Sequence, residues 1–567
     1  MNRSLNRSWL AWTLFAAVAL VLVIGVVVPV VTVAGVGLSP AWIGEVLRHP
    51  LQRAGLGNSF AIAVVTTLIS LAIALPLALI GWRLRFRGQG VAEALLLAPL
   101  ILPPFVGALG IFQLLGVHGV VNSAGAAFGL WLPGHGPDWL GDHRFAVVCV
   151  VEALHLYPFL WLALAAAAAR LDPGLIEAAA ASGASRLTIL RRIILPLLKP
   201  GLFAGVTVIF VWSFTELGTP LMLGFDRVVP VQIFNGLTEL NTNPQPFALV
   251  VVMLVVVAAS YGLAQLIAGR QPDAVVVKGA ARSAGRQVRG WQAVLAWTPY
   301  LLVTALAIAP HLMVLALACG RDWHGTLLPA GVTFDRFRDA LAHPNVVPSI
   351  SNSLFYAGLA TLIALVIGFA VAWITARWKP RGAAALDALA MAPLAVPGLI
   401  MAFGFLAIGV WLSQQIPALK PWLDPFANPG PLLIFAYAIR RLPQVVRATH
   451  AGLAQSPPAL EEAAAACGAN AWTRLRRITL PLIAASLAAG AILCFSFSML
   501  EVSDSLILAQ KRDAWPVTKV LYDLSSVLGS GPAVACAFAV WTMAFLAASL
   551  CTAAVLTGRS LTGMLRE

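Results

Sequence analysis

Three acidic side chains lie in long apolar segments of the sequence, where a charged group is expensive. Glu216 lies in the apolar segment 198–222. Glu501 and Asp504 lie in the apolar segment 482–508. A charge at the centre of a membrane-spanning helix costs roughly 2.5–3.5 kcal/mol on insertion scales, so such a group normally faces a cavity or a partner. One interpretation is that the three acids line a passage and meet a cation. The other is that they cap helix breaks or pair internally.

The residue types that support catalysis or tight metal binding are present but scattered. The nine histidines include no HExxH pair, and the six cysteines include no CxxC pair. No nucleophile and base converge in the sequence. None of the lysines follows a glycine, so there is no GxxxxGK[ST] phosphate loop. The sequence therefore predicts a protein that is not an enzyme and has no resident metal or cofactor. Any ATP used with this chain must be hydrolysed by another polypeptide.

One stretch of charged and small residues occurs twice. It reads EAAAASGASRLTILRRIILPLL over Glu177–Leu198 and EAAAACGANAWTRLRRITLPL over Glu462–Leu482. We call these stretches the first and second EAA segments. Their glutamates are 285 residues apart (462 − 177), and so are their glycines (468 − 183). A lone EAA triplet means little, but two copies in one register indicate a repeated functional element.

Each EAA segment predicts two short helices joined by a turn. Glutamate and alanines favour a helix with little side-chain bulk, and Gly183 or Gly468 ends it, because glycine adopts the turn conformation without strain. A second helix follows, with apolar residues on one stripe and arginines on the other face. The stripe comprises Leu187, Leu190, Ile193 and Leu197 in the first copy and Trp472, Leu475, Ile478 and Leu482 in the second. The small-residue surface suits close docking of a partner.

These elements belong to an integral membrane protein. Of the 567 residues, 60% are hydrophobic and 11% are charged, against about 25% charged in soluble domains. Backbone groups in lipid must be satisfied internally, so the spans should be helices. We predict an all-α protein with about 12 transmembrane helices, at 10–34, 60–82, 92–116, 145–169, 198–222, 246–268, 293–318, 354–376, 385–411, 431–450, 482–508 and 533–557. The span 431–450 is the weakest, because Arg440 and Arg441 interrupt it.

The basic residues predict the orientation. With the N-terminus in the cytoplasm, 26 of the 37 lysines and arginines fall on cytoplasmic segments, counting Arg440 and Arg441. Both EAA segments and both termini then face the cytoplasm. The formal charge of +14 follows largely from this topology, so no nucleic-acid partner is needed to explain it.

The two halves of the chain are a duplication. LAWT occurs at 10–13 and at 295–298, and Glu216 matches Glu501 at the same offset of 285. Six spans per half make the repeats parallel. We predict three regions: a first half at 1–268, a cytoplasmic linker at 269–292 and a second half at 293–567.

The EAA segments resemble the cytoplasmic loop of permease subunits of binding-protein-dependent ABC importers. The resemblance rests on EAA, a glycine four residues after it and an Ile-x-Leu-Pro ending, in both copies. The fused layout of six plus six spans and the stretch ELGTPLMLG at 216–224 are similar to the ferric-iron branch, although the second half has EVSDSLILA there.

The resemblance implies a partner and a role for each EAA segment. Each would lie in a groove of an ATPase subunit, so two copies of a cytoplasmic ATP-binding subunit are expected, with a periplasmic binding protein and membrane lipid. The coupling residues would be Glu177, Ala178, Ala179 and Gly183 in the first segment and Glu462, Ala463, Ala464 and Gly468 in the second. The protein would lie in a bacterial inner membrane.

The substrate and one rival class stay open at this stage. Ferric iron is suggested by the resemblance, and thiamine, phosphonates and polyamines are moved by related permeases. An ion-coupled secondary transporter would also have parallel repeats and buried acids, but it would not need the paired EAA segments.

Overall fold

The structure, a computed structural model, is almost entirely helical. It describes residues 9–101, 104–141, 143–239, 244–268, 285–527, 529 and 531–557. The termini that we predict to be cytoplasmic, at 1–8 and 558–567, and most of the predicted linker, at 269–284, lie outside the described residues.

The helices up to residue 268 follow the predicted order of the first half. They are Trp9–Leu22, Val28–Gly37, Pro40–Arg48, Pro50–Arg83, Gln89–Leu95, Ala98–Ile101, Pro104–Leu115, Val120–Ala127, Arg144–Ala168, Pro173–Ala181, Arg186–Ile189, Leu195–Phe214, Gly218–Met222, Val229–Asn235 and Gln245–Ala268. π-Helical turns at Val23–Val27 and Leu190–Ile194 join adjacent helices.

The helices after residue 290 repeat this arrangement. They are Trp291–Cys319, Asp335–Ala342, Val346–Trp373, Ala383–Met391, Gly398–Gln415, Lys420–Leu423, Gly430–Gln455, Pro458–Ala466, Ala471–Arg474, Leu480–Met499, Ser503–Leu508, Val517–Ser526 and Gly531–Thr557. π-Helical turns lie at Ile374–Trp378 and Leu475–Thr479. Short 3-10 helices lie at Gly236–Glu239, Ala392–Leu394, Pro417–Leu419 and Arg512–Ala514. There are also two pairs of two-residue strands among the described residues: β1 (Leu84–Arg85) pairs in parallel with β2 (Arg286–Gln287), and β3 (Gly320–Arg321) pairs antiparallel with β4 (Gly331–Val332).

Within the described residues, eleven helical stretches are long and apolar enough to cross a membrane. The remaining predicted span, 431–450, is also a continuous helix, Gly430–Gln455. Its 26 residues extend about 39 Å at 1.5 Å per residue, which is enough to cross the apolar layer. Its arginines lower its hydropathy below that of the other spans, which is why it was the weakest prediction.

Four predicted spans are broken in the structure. The span 92–116 is divided among the helices Gln89–Leu95, Ala98–Ile101 and Pro104–Leu115. The span 385–411 is not one helix: Ala383–Met391 ends, and Gly398–Gln415 begins after Pro397, whose ψ is 141°. Proline has no amide hydrogen and disfavours a helical conformation in the residue before it, so the run of prolines interrupts the helix. The spans 198–222 and 482–508 also break, near Glu216 and Glu501 respectively.

Helical packing divides the chain into two compact units, each made of more than one stretch of sequence. The first comprises 1–43, 233–251 and 334–567, and the second comprises 44–232 and 252–333. In the first unit, Trp12 and Phe15 pack edge-on against the ring of Trp378, with centroids 5.2 and 6.3 Å away. The N-terminal helix therefore packs in the same unit as most of the second half.

In the second unit the reverse is seen, because a helix of the second half packs among helices of the first half. The hydroxyl of Tyr300 donates to the carbonyl of Leu77 (2.9 Å), and the indole of Trp297 donates to the carbonyl of Arg87 (3.0 Å). The helix Trp291–Cys319 thus packs among helices of the first half. The two compact units therefore differ from the two halves that we predict from the sequence repeat. The repeat boundaries 1–268, 269–292 and 293–567 stay a prediction.

Candidate functional site

The first EAA segment folds as the sequence predicts, into a short helix, a glycine turn and a second helix. Asp172 caps the helix Pro173–Ala181 by accepting from the amide of Gly174 (2.8 Å). The turn is closed by hydrogen bonds from the amides of residues 182, 183 and 184 to the carbonyls of residues 178, 180 and 179. Gly183 has φ +82°, in the left-handed region that favours glycine. The side chain of Ser185 then caps the second helix by accepting from the amide of Thr188 (3.2 Å).

The second EAA segment has the same backbone geometry. Its helix is Pro458–Ala466, and the amides of residues 467, 468 and 469 donate to the carbonyls of residues 463, 465 and 464. Each of these bonds matches one in the first segment at an offset of 285. Gly468 has φ +84°, and Asn470 caps the following helix by accepting from the amide of Thr473 (2.8 Å). The duplication therefore preserves the turn and the cap of the second helix, which is Ser185 in one copy and Asn470 in the other. The first helix differs, because Pro457 stands at the position of Asp172 and makes no side-chain cap.

The residues that we predict to couple to a partner are accessible in both segments. Glu177 and Glu462 are exposed, as are both turn glycines, and nothing lies within 4 Å of where their Cβ atoms would be. Apolar side chains are exposed at matched positions: Leu175, Leu187 and Leu197 are 51%, 54% and 46% exposed, and Leu460, Trp472 and Leu482 are 46%, 65% and 50% exposed. Full burial of one such side chain is worth about 1.5–3 kcal/mol. This matched apolar surface can bind a partner.

The predicted apolar stripe needs one correction. Its end residues are exposed, and the residues that bury this helix against the protein in the first segment are Ile189, Ile194 and Leu198. For the residues after Leu190 and Leu475 the cause is a π-helical turn in each copy, closed by the amide of Leu195 on the carbonyl of Leu190 and by the amide of Leu480 on that of Leu475. A π-helical turn holds an extra residue and shifts the register of every side chain after it.

The second EAA segment carries a polar anchor. The Glu461 carboxylate, 6% exposed, pairs with the Arg377 guanidinium (Oε1 to Nε, 3.4 Å) and accepts from the hydroxyl of Thr479 (3.2 Å). Arg377 also donates to the carbonyl of Ser456 (2.7 Å). Glu461 thus joins the two helices of the segment through Thr479, and Arg377, in the π-helical turn that follows the helix Val346–Trp373, attaches the first of them to the rest of the protein. We call these four residues the anchor.

The structure places Glu216 at a helix break, and its carboxylate caps the next helix. Its Oε1 accepts from the amides of Gly218 (3.1 Å) and Thr219 (3.4 Å), at the start of the helix Gly218–Met222. Nearby, the buried Glu152 accepts from the hydroxyl of Ser213. The capping interpretation of Glu216 is therefore the one that its contacts support. Its role in a passage stays a prediction.

Glu501 lies at the matched break and has strong partners. It accepts from Nε of Arg440 (3.1 Å) and also from Arg441. Asp504 lies with an oxygen 4.0 Å from Nε of Arg440. We call these four residues the arginine cluster. Internal pairing, the second of our two interpretations, describes these acids.

Sequence reasoning assigns Arg440 and Arg441 to the cytoplasmic side, and that assignment stays a prediction. Both lie inside the helix Gly430–Gln455 and pair with an acid of another span. Without them, 24 (26 − 2) of the 37 basic residues remain on predicted cytoplasmic segments, so the predicted orientation keeps its support. Two adjacent arginines in an apolar segment, with acids elsewhere in apolar segments, were the signal for this pairing.

Clusters that would hold a metal ion are absent from the part of the chain that the structure describes. There, no three histidine, cysteine or acidic side chains converge. Each of the six cysteines is a free thiol.

The fold and these segments define a class of protein: a multi-pass membrane permease built from two matched halves. Comparison with family models identifies the family. Residues 72–271 and 364–554, together more than half of the chain, match the binding-protein-dependent transport system inner membrane component. The chain belongs to this family. It is a multi-pass inner membrane protein and the permease component of an ABC importer, not a catalytic subunit, and its family works with an ATPase and a binding protein.

The names of individual relatives refer to different substrates. FbpB 1 of Haemophilus influenzae, which is named as a ferric transport system permease protein, is 26% identical over 484 residues, which is 83% of this chain and 71% of that protein. The ferric transport system permease protein FbpB of Actinobacillus pleuropneumoniae is 24% identical over 476 residues, 82% of this chain and 65% of that protein. The sulfate transport system permease protein CysT of Escherichia coli is 30% identical over 188 residues, 32% of this chain and 65% of that protein.

Proposed function

We propose that this chain alone forms the translocation path of an ATP-driven importer and couples to two copies of a cytoplasmic ATPase subunit through its two EAA segments. The observation that carries the proposal is the matched geometry of the segments. They share the same turn bonds, the same left-handed glycine and the same exposed apolar positions. Two identical docking elements fit two identical partners.

Within each segment the roles follow from accessibility. Glu177 and Glu462 are exposed acids that can pair with a basic side chain of the ATPase. The alanines Ala178, Ala179, Ala463 and Ala464 leave room for close approach. Gly183 and Gly468 set the angle between the two helices of each segment, because a residue with a Cβ is strained at their φ values.

The proposed topology places both termini and both EAA segments in the cytoplasm. It rests on the excess of basic residues on those segments. A periplasmic binding protein would then deliver substrate to the opposite side. The proposed substrate is ferric iron, supported by the names of two relatives that match over four fifths of this chain.

Copurification tests the coupling proposal. The tagged chain is expressed with the ATPase encoded nearest to it in its genome. The wild type should retain the ATPase, and the charge-reversed variant E177R/E462R should lose most of it. The matched control is G44R/G331R, which puts arginine at two positions with nothing within 4 Å of the Cβ on segments that we predict to face outward.

The control variant should bind the ATPase as the wild type does. If E177R/E462R also retains the ATPase at wild-type levels, the EAA segments are not the docking elements. Uptake of solute into ATP-free vesicles by the chain alone would contradict the whole proposal.

A further inference from the structure

The arginine cluster is unusual in which of its members are accessible. The side chains of Arg440 and Arg441 are each 20% exposed, whereas those of Glu501 and Asp504 are 4% and 1% exposed. The carboxylates are thus enclosed by protein, and the arginine side chains are the more accessible members of the cluster, although Nη1 of Arg440 and Nε of Arg441 are buried.

The position of the arginines indicates what they face. They are the eleventh and twelfth of the 26 residues in the helix Gly430–Gln455, near its middle. A charged side chain at this depth is rarely exposed to lipid, and normally faces the bundle interior or a water-filled cavity. In a permease the translocation path is such a cavity, and an accessible arginine of this helix is suited to face it.

Other contacts hold the guanidinium groups in place. The Arg441 guanidinium lies 5.4 Å from the centroid of the Phe497 ring and donates to the carbonyl of that residue (3.3 Å). The Arg440 guanidinium lies against Gly398, where a side chain would have no room. Arginine presents a rigid set of N–H donors that matches carboxylate, sulfate and phosphate oxygens. A fixed, accessible pair of arginines is thus suited to bind such oxygens.

The first half has no equivalent of this pair. The residues 285 positions before Arg440 and Arg441 are His155 and Leu156. The acid that matches Glu501 is Glu216, which caps its own helix break. The arginines are therefore a feature of the second half only, and the pairing with Glu501 is not needed for a helix break of this kind.

We propose that Arg440 and Arg441 form a binding site for anionic oxygens in the translocation path, and that Glu501 orients them. This inference rests on the proposed importer function and narrows its substrate class. The transported species presents negatively charged oxygen atoms as it passes the cluster. Sulfate meets this requirement as the free ion, and ferric iron meets it in a complex with an anionic ligand such as citrate.

Equilibrium binding to the purified full chain in lipid nanodiscs tests the site without the ATPase. The probes are sulfate, ferric citrate, iron-free citrate and hexaamminecobalt(III), an inert trivalent cation. The variant is R440Q/E501Q, which removes one arginine together with the carboxylate that it pairs with and leaves Arg441 as the cation near Asp504. The control is R83Q, which removes an exposed arginine of the first half. Thermal unfolding first establishes that each variant is folded.

We expect the wild type to bind sulfate, ferric citrate or both, and the cation to be rejected. R440Q/E501Q should bind the same anion at least ten-fold more weakly, whereas R83Q should bind it as the wild type does. Binding of sulfate without binding of ferric citrate would identify a free oxyanion as the substrate class. Ferric citrate bound more tightly than iron-free citrate identifies a metal complex.

Three results would contradict the proposed anion-binding site. They are a wild type that binds neither anion, an R440Q/E501Q variant that binds the anion as tightly as the wild type, and a wild type that prefers the cobalt complex. Because the ATPase is absent from this assay, none of these results bears on coupling through the EAA segments, and a failed copurification leaves the anion site standing.

Discussion

The two EAA segments have the same backbone geometry, but different contacts attach them to the rest of the protein. In the second, Glu461 and Thr479 form a buried polar network with Arg377. The matched residues of the first, 285 positions earlier, are Ile176 and Ile194, and Ile194 is 4% exposed. The docking surface has thus been kept through the duplication while its attachment has changed from apolar contact to ion pair, or the reverse.

This difference shows which features the function requires. The turn bonds, the glycine φ and the exposed apolar positions are the same in both copies, so they are the features that a shared partner would read. The contacts that attach each segment to the rest of the protein differ between the copies, so the function requires only that they hold the segment rigidly. A buried ion pair is weak evidence for stability in itself, but loss of one partner is costly, so the second segment is the more vulnerable of the two.

The helix breaks at Glu216 and Glu501 give a second comparison. Glu216 accepts two backbone amides of the helix that follows it, whereas Glu501 accepts from two arginines of another helix. The same position thus closes a helix end in one half and binds two spans together in the other. Removal of the partners should therefore affect the two halves very differently.

The largest effect is expected from R440Q/R441Q. It leaves Glu501 and Asp504 buried without their cationic partners, which should cost about 3–5 kcal/mol of unfolding free energy. Thermal unfolding of the purified protein measures the loss. The triple variant R440Q/R441Q/E501Q should regain most of it, because the best-paired carboxylate is removed as well. A triple variant as unstable as the double would show that the arginines stabilise the fold through packing and not through Glu501.

The next effect is expected from R377A, which leaves Glu461 buried without its cation. We expect a loss of a few kcal/mol and weaker binding of the ATPase, measured by thermal unfolding and copurification. The matched control is R83A, since Arg83 holds the corresponding position in the first half, 294 residues earlier, and is exposed. R83A should change stability by less than about 0.5 kcal/mol.

A stronger form of this experiment converts the anchor to the apolar arrangement. The variant R377M/E461I/T479I gives the second segment the isoleucines of the first. It should regain the stability lost in R377A, because replacement of a buried ion pair by apolar residues is often neutral. Weak ATPase binding in a stable triple variant would show that the anchor acts in coupling and is more than an attachment.

A smaller and symmetric effect is expected from G183A and G468A. Both glycines have φ near +83°, which costs a residue with a Cβ roughly 1–2 kcal/mol. Nothing lies near either Cβ position, so strain is the whole effect. The two variants should lower ATPase retention to a similar degree in copurification. Unequal losses would mean that the partner reads the two segments differently.

The sequence was sufficient for features set by local rules and by periodicity. Most spans and the paired turns at Gly183 and Gly468 follow from hydropathy and glycine chemistry, and the structure has them. The sequence did not predict the side-chain caps Asp172, Ser185 and Asn470. It was not sufficient for features set by contacts between distant residues. Nothing near Arg440 in the sequence shows that Glu501 lies 3.1 Å away, and the exchange of the first helices between compact units depends on packing alone.

The smallest effect concerns Lys519, which lies outside the membrane-spanning stretches, in the helix Val517–Ser526. Burial lowers the pKa of its ammonium group to about 8, and the nearby Asp523 opposes the shift. Its Nζ donates to the carbonyl of Leu506 (3.0 Å) and lies 5.4 Å from the centroid of the Phe234 ring. The folded state thus binds this proton less tightly than the unfolded state does.

The sign of the pH dependence follows from that difference. Between pH 8 and the unfolded value of 10.5, the unfolded chain carries more protons at this site, so the stability contribution of Lys519 rises with pH. Below pH 8 its penalty is complete and constant. The gain is at most about 1.4 kcal/mol per pH unit. K519M should therefore remove part of the rise in unfolding temperature between pH 8 and 10, whereas K420M, a change at an exposed lysine, should leave it intact. Parallel curves for K519M and the wild type would mean that Lys519 stays protonated in the folded protein because its contacts with Leu506 and Phe234 outweigh its burial.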